Sequence, residues 1–152
     1  MLIALVLAYL FFGGSGGAAD FGHFYNNQAR SLVKAAVSDP VRKKSAVESA
    51  ESAKKAIEAL AKQMEKNGKQ MRKLYEDYSS QPEQWDRAIQ SGIDVEKQPF
   101  NDFVGSRKSL LKSVTPQEWN AIIADAKREN EAAAAKAAEK SAKKIAKEAA
   151  KS

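Results

Sequence analysis

Apolar side chains recur on a helical period through residues 39–78, which hold the longest regular pattern in the chain. Two series each repeat every seven residues, and they are offset by three or four positions, as the a and d positions of a coiled coil are. We therefore predict one long helix with an apolar seam, used for packing within the chain, for self-association or for a helical partner. The seam residues are Ile57, Leu60, Met64, Asn67, Met71, Leu74 and Tyr78.

Asp39 and Pro40 mark the start of this helix. Aspartate accepts hydrogen bonds from the first backbone N–H groups, and proline suits the first turn because its missing N–H is not needed there. Residues 40–78 would span on the order of 58 Å as a helix, which is too long for a compact core. Asn67 is polar at a d position, where such a residue fixes register or partner choice at a cost in stability.

The chain is predicted to turn back after residue 78. Ser80 and Glu83 form a capping-box pattern around Pro82, which predicts a short helix that ends near Gly92. Residues 93–99 are then predicted to form a turn, and residues 100–114 a helix that packs back along the long one.

Thr115, Pro116 and Glu118 form the clearest helix-start signal in the chain. The helix that begins there runs into an Ala/Lys/Glu stretch at residues 131–152, whose helix propensity is high but whose only large apolar side chain is Ile145. We expect this tail to extend into solvent and to contact anionic surfaces. The residues predicted to make that contact are Lys136, Lys140, Lys143, Lys144 and Lys147.

The N-terminal segment is continuously apolar over residues 1–12, and seven small uncharged residues follow it. As a retained anchor, residues 1–19 would reach about 28 Å as a helix, close to the roughly 30 Å hydrocarbon core of a bilayer. As a signal peptide, the segment has an apolar region of suitable length, with Gly17 and Ala19 at a cleavage site. The residues predicted to insert into the membrane are Leu2, Ile3, Leu5, Val6, Leu7, Leu10, Phe11 and Phe12.

The two interpretations of this segment place the body on opposite sides of the membrane. Basic residues follow the apolar segment and none precedes it, so a retained anchor favours a cytoplasmic body. A cleaved signal sends the body across, to a secreted or periplasmic location. An aromatic group follows the apolar segment and consists of Phe21, Phe24 and Tyr25. Its rings are predicted either to form a belt at the membrane interface or to pack on the long helix.

Composition favours an all-α protein. Hydrophobic residues make up 43% of the 152 residues, but many are alanines or belong to the first twelve positions, and no stretch alternates as a strand does. We predict a membrane-inserted apolar segment (1–19), an elongated, coiled-coil-like helical hairpin or bundle (20–130) and a long Ala/Lys-rich C-terminal helix (131–152).

Motifs for catalysis, cofactors and metals are missing from the sequence. There is no glycine-rich phosphate loop, no nucleophile elbow and no cysteine, and His23 is the only histidine. The carboxylates lie beside lysines, as on a solvated helix face, so we expect neither an enzyme nor a cofactor-binding or small-molecule site.

The net charge of +6 makes nucleic acid a candidate partner, because basic helices can neutralise its phosphates. The tail is similar in composition to the C-terminal tails of linker-histone-like proteins, which implies contact with nucleic acid. Interspersed glutamates dilute the positive field, and the apolar segment suits a membrane better.

The function predicted from sequence is therefore a non-enzymatic, single-pass membrane-anchored helical interaction or scaffold protein. Its partners would be the lipid bilayer and a helical protein or a second copy. The alternative is a secreted or periplasmic helical binding or chaperone-like protein, and the third is a basic nucleic-acid-associated protein.

Overall fold

The structure is a computed structural model that describes residues 22–149, with side chains as far as residue 143. Over these residues the chain is helical and contains no strand, which confirms the all-α prediction. A π-helical turn, Phe24–Gln28, leads into helix α1, Ala29–Ala36. The three long helices are α2 (Pro40–Glu76), α3 (Pro82–Ser113) and α4 (Pro116–Ala149).

The predicted start of α2 is confirmed and its predicted end is not. The Asp39 carboxylate accepts a hydrogen bond of 2.7 Å from the Arg42 backbone N–H, and Pro40 occupies the first turn. The helix ends at Glu76, because Asp77 is extended and its carboxylate accepts hydrogen bonds from the backbone N–H and the hydroxyl of Ser79. Tyr78 therefore lies beyond the helix and is fully exposed, so its assignment to the helical seam is wrong.

Helix α3 differs most from the sequence prediction. It runs without interruption from Pro82 to Ser113, so Gly92 does not end a helix and residues 93–99 do not form a turn. Gly92 is instead buried against α2, and Pro99 is accommodated inside the helix. Packing along a neighbouring helix stabilises α3 through positions that local propensity would break, because most helix stability in proteins comes from such packing.

The cap of α3 also lies one residue later than predicted. The backbone N–H of Gln81 donates to the Gln84 side chain at 2.7 Å, and the Gln81 side chain accepts in return, which completes a capping box. The Ser80 hydroxyl donates to the backbone carbonyl of Leu74 at 2.8 Å instead. Ser80 and Glu83 therefore do not form the predicted pair.

The predicted start of α4 is confirmed in detail. The Thr115 backbone N–H donates to the Glu118 carboxylate at 2.8 Å, and the Glu118 backbone N–H donates to the Thr115 hydroxyl at 3.2 Å. This reciprocal pair satisfies two backbone donors that a helix start leaves without a partner.

The long helices α2 and α3 form an antiparallel hairpin. The hydroxyls of Ser45 and Ser113 lie 2.9 Å apart near one end, and Asn67 bonds Glu96 at 2.7 Å towards the other. At 37 residues, α2 would be about 55 Å long. The half of the hairpin formed by residues 40–60 and 103–113 is here called the base. Helix α1 packs on α2 in this half, and α4 packs on α1.

Full burial is concentrated near the base. The largest fully buried side chains are Val33, Val37, Leu60, Leu110 and Ile122, and they come from all four helices and the loop after α1. Towards the other end of the hairpin, Met64, Met71 and Leu74 are only half-buried. The elongated shape follows, because two helices alone cannot bury the apolar faces that four helices bury at the base.

None of the helices within residues 22–149 is long and apolar enough to cross a membrane. The predicted anchor or signal segment, residues 1–19, with all of its predicted membrane-inserted residues, lies outside the described residues.

Candidate interaction surface

Helix α1 and the π-helical turn before it pack on α2 near the base, and the turn reaches α3 through one aromatic contact. The Tyr25 ring packs edge-on against Phe103 of α3 at 5.2 Å between centroids, and the Phe24 ring packs edge-on against Trp119 of α4 at 6.2 Å. Both aromatic side chains are buried. They pack within the protein, so the membrane-belt interpretation is wrong for Phe24 and Tyr25.

The polar contacts at the base hold three helix ends together. Both terminal nitrogens of Arg42 on α2 donate to the Glu118 carboxylate on α4, at 2.6 and 3.1 Å, and one of them also donates to the last carbonyl of α3, on Ser113. Arg42, followed by the backbone N–H of Thr115, lowers the pKa of Glu118 from 4.5 to about 2. The cluster therefore connects the first turns of α2 and α4 to the end of α3.

The face of the hairpin that α1 covers continues beyond α1. On α2, Ala50 and Lys54 line the boundary with α1. Seven-residue steps lead from Ala50 to Ile57, Met64 and Met71, and from Lys54 to Tyr75, so each series stays on one side of the helix. On α3, helical steps from Phe103 lead to Phe100, Ile93 and Ile89 on the same side. We call this continuation the distal groove. Its members are Met64, Met71, Tyr75, Ile89, Ile93 and Phe100.

The distal groove is apolar and accessible. Tyr75 is 81% exposed and Ile89 is 48% exposed, and the other four side chains are half-buried. A glycine, Gly68, lies in the middle of its α2 wall, and a Cβ built there would have no other heavy atom within 4 Å. The wall is therefore open enough at that point for another helix to approach closely.

The predicted seam divides into two parts in the structure. Ile57 and Leu60 are buried near the base, and the Asn67 amide donates to the Glu96 carboxylate of α3 at 2.7 Å. Asn67 thus faces the interior of the hairpin, whereas Ile57 lies on the stripe that continues to Met64 and Met71. Met64, Met71 and Leu74 stay half-buried, and two of them belong to the distal groove.

Sequence reasoning missed the α3 wall of the distal groove. The sequence pattern predicts Ile93 in a turn and Ile89 near the end of a short helix. The seven-residue step from Ile93 to Phe100 and the same step from Glu96 to Phe103 were the signal that could have shown one continuous face.

The tail lysines lie on α4 beyond its packed part. Residues 131–143 are exposed, and Lys136, Lys140 and Lys143 are among them. Lys143 pairs with Glu139 one turn before it. The backbone of Lys144 and Lys147 continues the helix, and their side chains lie outside the described part.

Within residues 22–149, no three or more His, Asp or Glu side chains are grouped so that they could hold a metal ion, and His23 is exposed. Comparison with protein-family models finds no family that matches the chain, and no curated protein or solved structure matches it either.

Proposed function

We propose that this protein is a non-enzymatic helical scaffold that is attached to a membrane by residues 1–19 and self-associates through its hairpin. The distal groove of one copy would pack on the distal groove of a second copy. The observation that carries the proposal is that the face covered by α1 at the base continues, apolar and accessible, along the outer half of the hairpin.

Continuity with the α1 interface indicates what kind of element fits the distal groove. At the base, α1 and the turn before it pack on α2, and the Tyr25 ring of that turn packs on Phe103 of α3. The same two walls, with the same spacing of apolar side chains, therefore suit another helix. Two hairpins that cover each other in this way would form a four-helix bundle, which gives each apolar face a partner.

The distal groove suits a second copy of the chain because charges of opposite sign lie towards the two ends of the groove. Glu65 lies three residues before Gly68 and Arg72 lies four residues after it. A two-fold axis near Gly68 would therefore place Glu65 of one copy opposite Arg72 of the other, as a self-complementary interface requires. The α1 helices would limit the overlap to the outer parts of the hairpins, about 24 Å of α2.

Single-cysteine crosslinking tests this arrangement, because the natural chain has no cysteine. Gly68→Cys in the full-length protein, reconstituted in lipid vesicles, should give a disulfide-linked dimer on mild oxidation, since facing Cα atoms must come within about 7 Å. Lys66→Cys is the matched control, because it lies at the same height on the opposite side of α2. Equal crosslinking at both positions, or none at Gly68→Cys, would contradict self-association through the groove, and a helix from another protein would then become the candidate occupant.

Membrane attachment is tested separately. Replacing Leu5 and Leu7 by Asp should place charge in the bilayer at roughly 2.5–3.5 kcal/mol for each residue, so the variant should leave the membrane fraction on washing. The same double replacement at two exposed tail positions, Ala135 and Ala137, is the control and should not release the protein. If the Leu5/Leu7 variant stays in the membrane pellet after high-salt washing, residues 1–19 are not the anchor.

A further inference from the structure

A positively charged cleft of about 430 Å³ lies between α2 and the segment formed by the π-helical turn and α1, and it is not lined by Arg42, Ser113 or Glu118. Asn27, Arg30 and Lys34 line one wall at steps of three and four residues, so their side chains share one helix face. Lys54 and Glu51 line the α2 wall. The buried Tyr25 and Ala50 close the floor of the cleft.

The cations in this cleft outnumber the carboxylates. Arg30 Nε lies 2.5 Å from Glu51, which is the one acidic residue among the described residues that line the cleft. Lys54 lies 3.7 Å from Glu58, at the long end of ion-pair distances. Lys34 forms no ion pair with any described residue. The cleft therefore keeps a local excess of positive charge, and bringing cations together without matching acids costs energy that an anion would recover.

We propose that this cleft binds the phosphate of a small phosphate ester. The planar Arg30 guanidinium can donate two parallel hydrogen bonds to phosphate oxygens, Lys34 and Lys54 supply point charges from opposite walls, and the Asn27 amide adds a neutral donor. The volume lies within the usual range for small-molecule sites and exceeds what a bare phosphate fills. The remaining space would hold the organic part of the ester, against Tyr25 and Ala50.

Such an ester has two sources, a soluble metabolite or a phospholipid headgroup. The cleft does not depend on the groove-mediated self-association, because no residue of the distal groove lines it. Glycerol 3-phosphate serves as the soluble probe, and vesicles of phosphatidylglycerol in phosphatidylcholine serve as the lipid probe. Binding to both indicates recognition of the shared glycerophosphate group, whereas Lys34-dependent binding to the vesicles alone assigns the site to a lipid headgroup.

The test measures affinity of the full-length protein in neutral detergent by calorimetry, and vesicle binding by flotation. Lys34→Ala should weaken binding about tenfold, as expected for loss of a charge-assisted hydrogen bond. Arg30→Lys should weaken binding less than Arg30→Ala, because lysine keeps the positive charge and loses only the paired N–H donors of the guanidinium group. Glu51→Gln should tighten binding, because it removes the carboxylate that competes with the ligand for Arg30.

Lys108→Ala, on the exposed side of α3, makes the same change in net charge outside the cleft and should leave the affinity for glycerol 3-phosphate unchanged. Circular dichroism of each variant confirms that the helices are retained. The proposal is overturned if neither probe binds, if Lys108→Ala weakens binding as much as Lys34→Ala, or if Glu51→Gln does not tighten it.

Discussion

Asn67 of α2 lies against Gly92 of α3, and a Cβ atom built at Gly92 would lie 3.0 Å from the Asn67 amide nitrogen. The same nitrogen donates to the Glu96 carboxylate, one turn further along α3, at 2.7 Å. The amide is thus placed between two successive turns of the facing helix. A side chain at position 92 would force the Asn67 amide to shift by a few tenths of an ångström, so glycine there favours this contact between the two helices.

Gly92→Ala and Gly105→Ala should therefore have different effects on stability. Both glycines lie inside α3, where alanine is normally favoured by about 0.5–1 kcal/mol. A Cβ at Gly105 would meet nothing within 4 Å, so Gly105→Ala should raise the free energy of unfolding by that amount. Gly92→Ala should bring no gain or a loss, because the Asn67 amide has to move away from Glu96. Chemical denaturation measures both changes.

The double variant Asn67→Ala/Gly92→Ala is the control for this contact. With the amide removed, the alanine at Gly92 should recover the usual gain when it is compared with Asn67→Ala alone. An equal gain from Gly92→Ala and Gly105→Ala in the natural background would show that Asn67 does not constrain position 92.

Stability should depend on acid pH through Glu118. Hydrogen bonds from Arg42 and from the Thr115 backbone lower its pKa from 4.5 to about 2. Because the folded-state pKa is the lower one, the stabilising contribution is present above about pH 4.5 and is lost as the pH falls towards 2. The free energy of unfolding should therefore decline across that window, as measured by denaturant midpoints at several pH values.

Glu118→Gln should be less stable than the natural protein at pH 7 and should show a shallower decline below pH 4.5. Glu83→Gln, which changes an exposed carboxylate in the first turn of α3, keeps the net charge the same as Glu118→Gln and serves as the control. If the two variants show the same pH dependence, the ion pair between Arg42 and Glu118 does not stabilise the base.

Ile122→Ala should be strongly destabilising, because Ile122 on α4 is fully buried. Deleting its buried methyl groups should lower the free energy of unfolding by about 2–5 kcal/mol. Ile123→Ala, at the half-buried neighbouring position, should cost less. Thermal denaturation compares the two, and equal losses would contradict the packing of α4 on α1.

Two deletions should separate the packed part of α4 from its tail. Residues 133–143 are exposed, so removing 133–152 should leave the thermal transition nearly unchanged. Removing 129–152 also takes away Glu129 and Asn130, which accept hydrogen bonds from Gln28 at 2.9 and 3.0 Å. Gln28 is only 5% exposed, so its amide would lose its partners at a cost of about 1–3 kcal/mol.

The same 133–152 deletion should weaken binding to anionic vesicles, because it removes the tail lysines. Such contacts are screened over about 8 Å at physiological ionic strength, so the difference from the full-length protein should shrink as salt is added. Vesicle flotation at increasing salt concentration measures this. A difference that persists unchanged at high salt would point to apolar rather than electrostatic contact by the tail.

The helix starts were predictable from sequence because capping is local. Asp39 meets the Arg42 N–H and Thr115 meets Glu118 within three residues, so the interacting groups are neighbours in any chain that forms those helices. The all-α class was equally predictable from sequence. The seven-residue apolar period also predicts one apolar face of α2, since it places side chains on the same side of a helix whatever packs against it.

Tertiary contacts decided that α3 continues through Gly92 and Pro99. They also decided which part of the seam is buried. Both residues signal a helix end locally, yet α3 continues through them because α2 lies alongside and Gly92 makes room for Asn67. Ile57 is buried near the base, where other helices pack on α2, whereas Tyr75, near the end of α2, is 81% exposed. A periodic pattern shows which face of a helix is apolar, but the neighbouring helix that covers this face comes from a distant part of the chain, so only the folded structure separates the base from the distal groove.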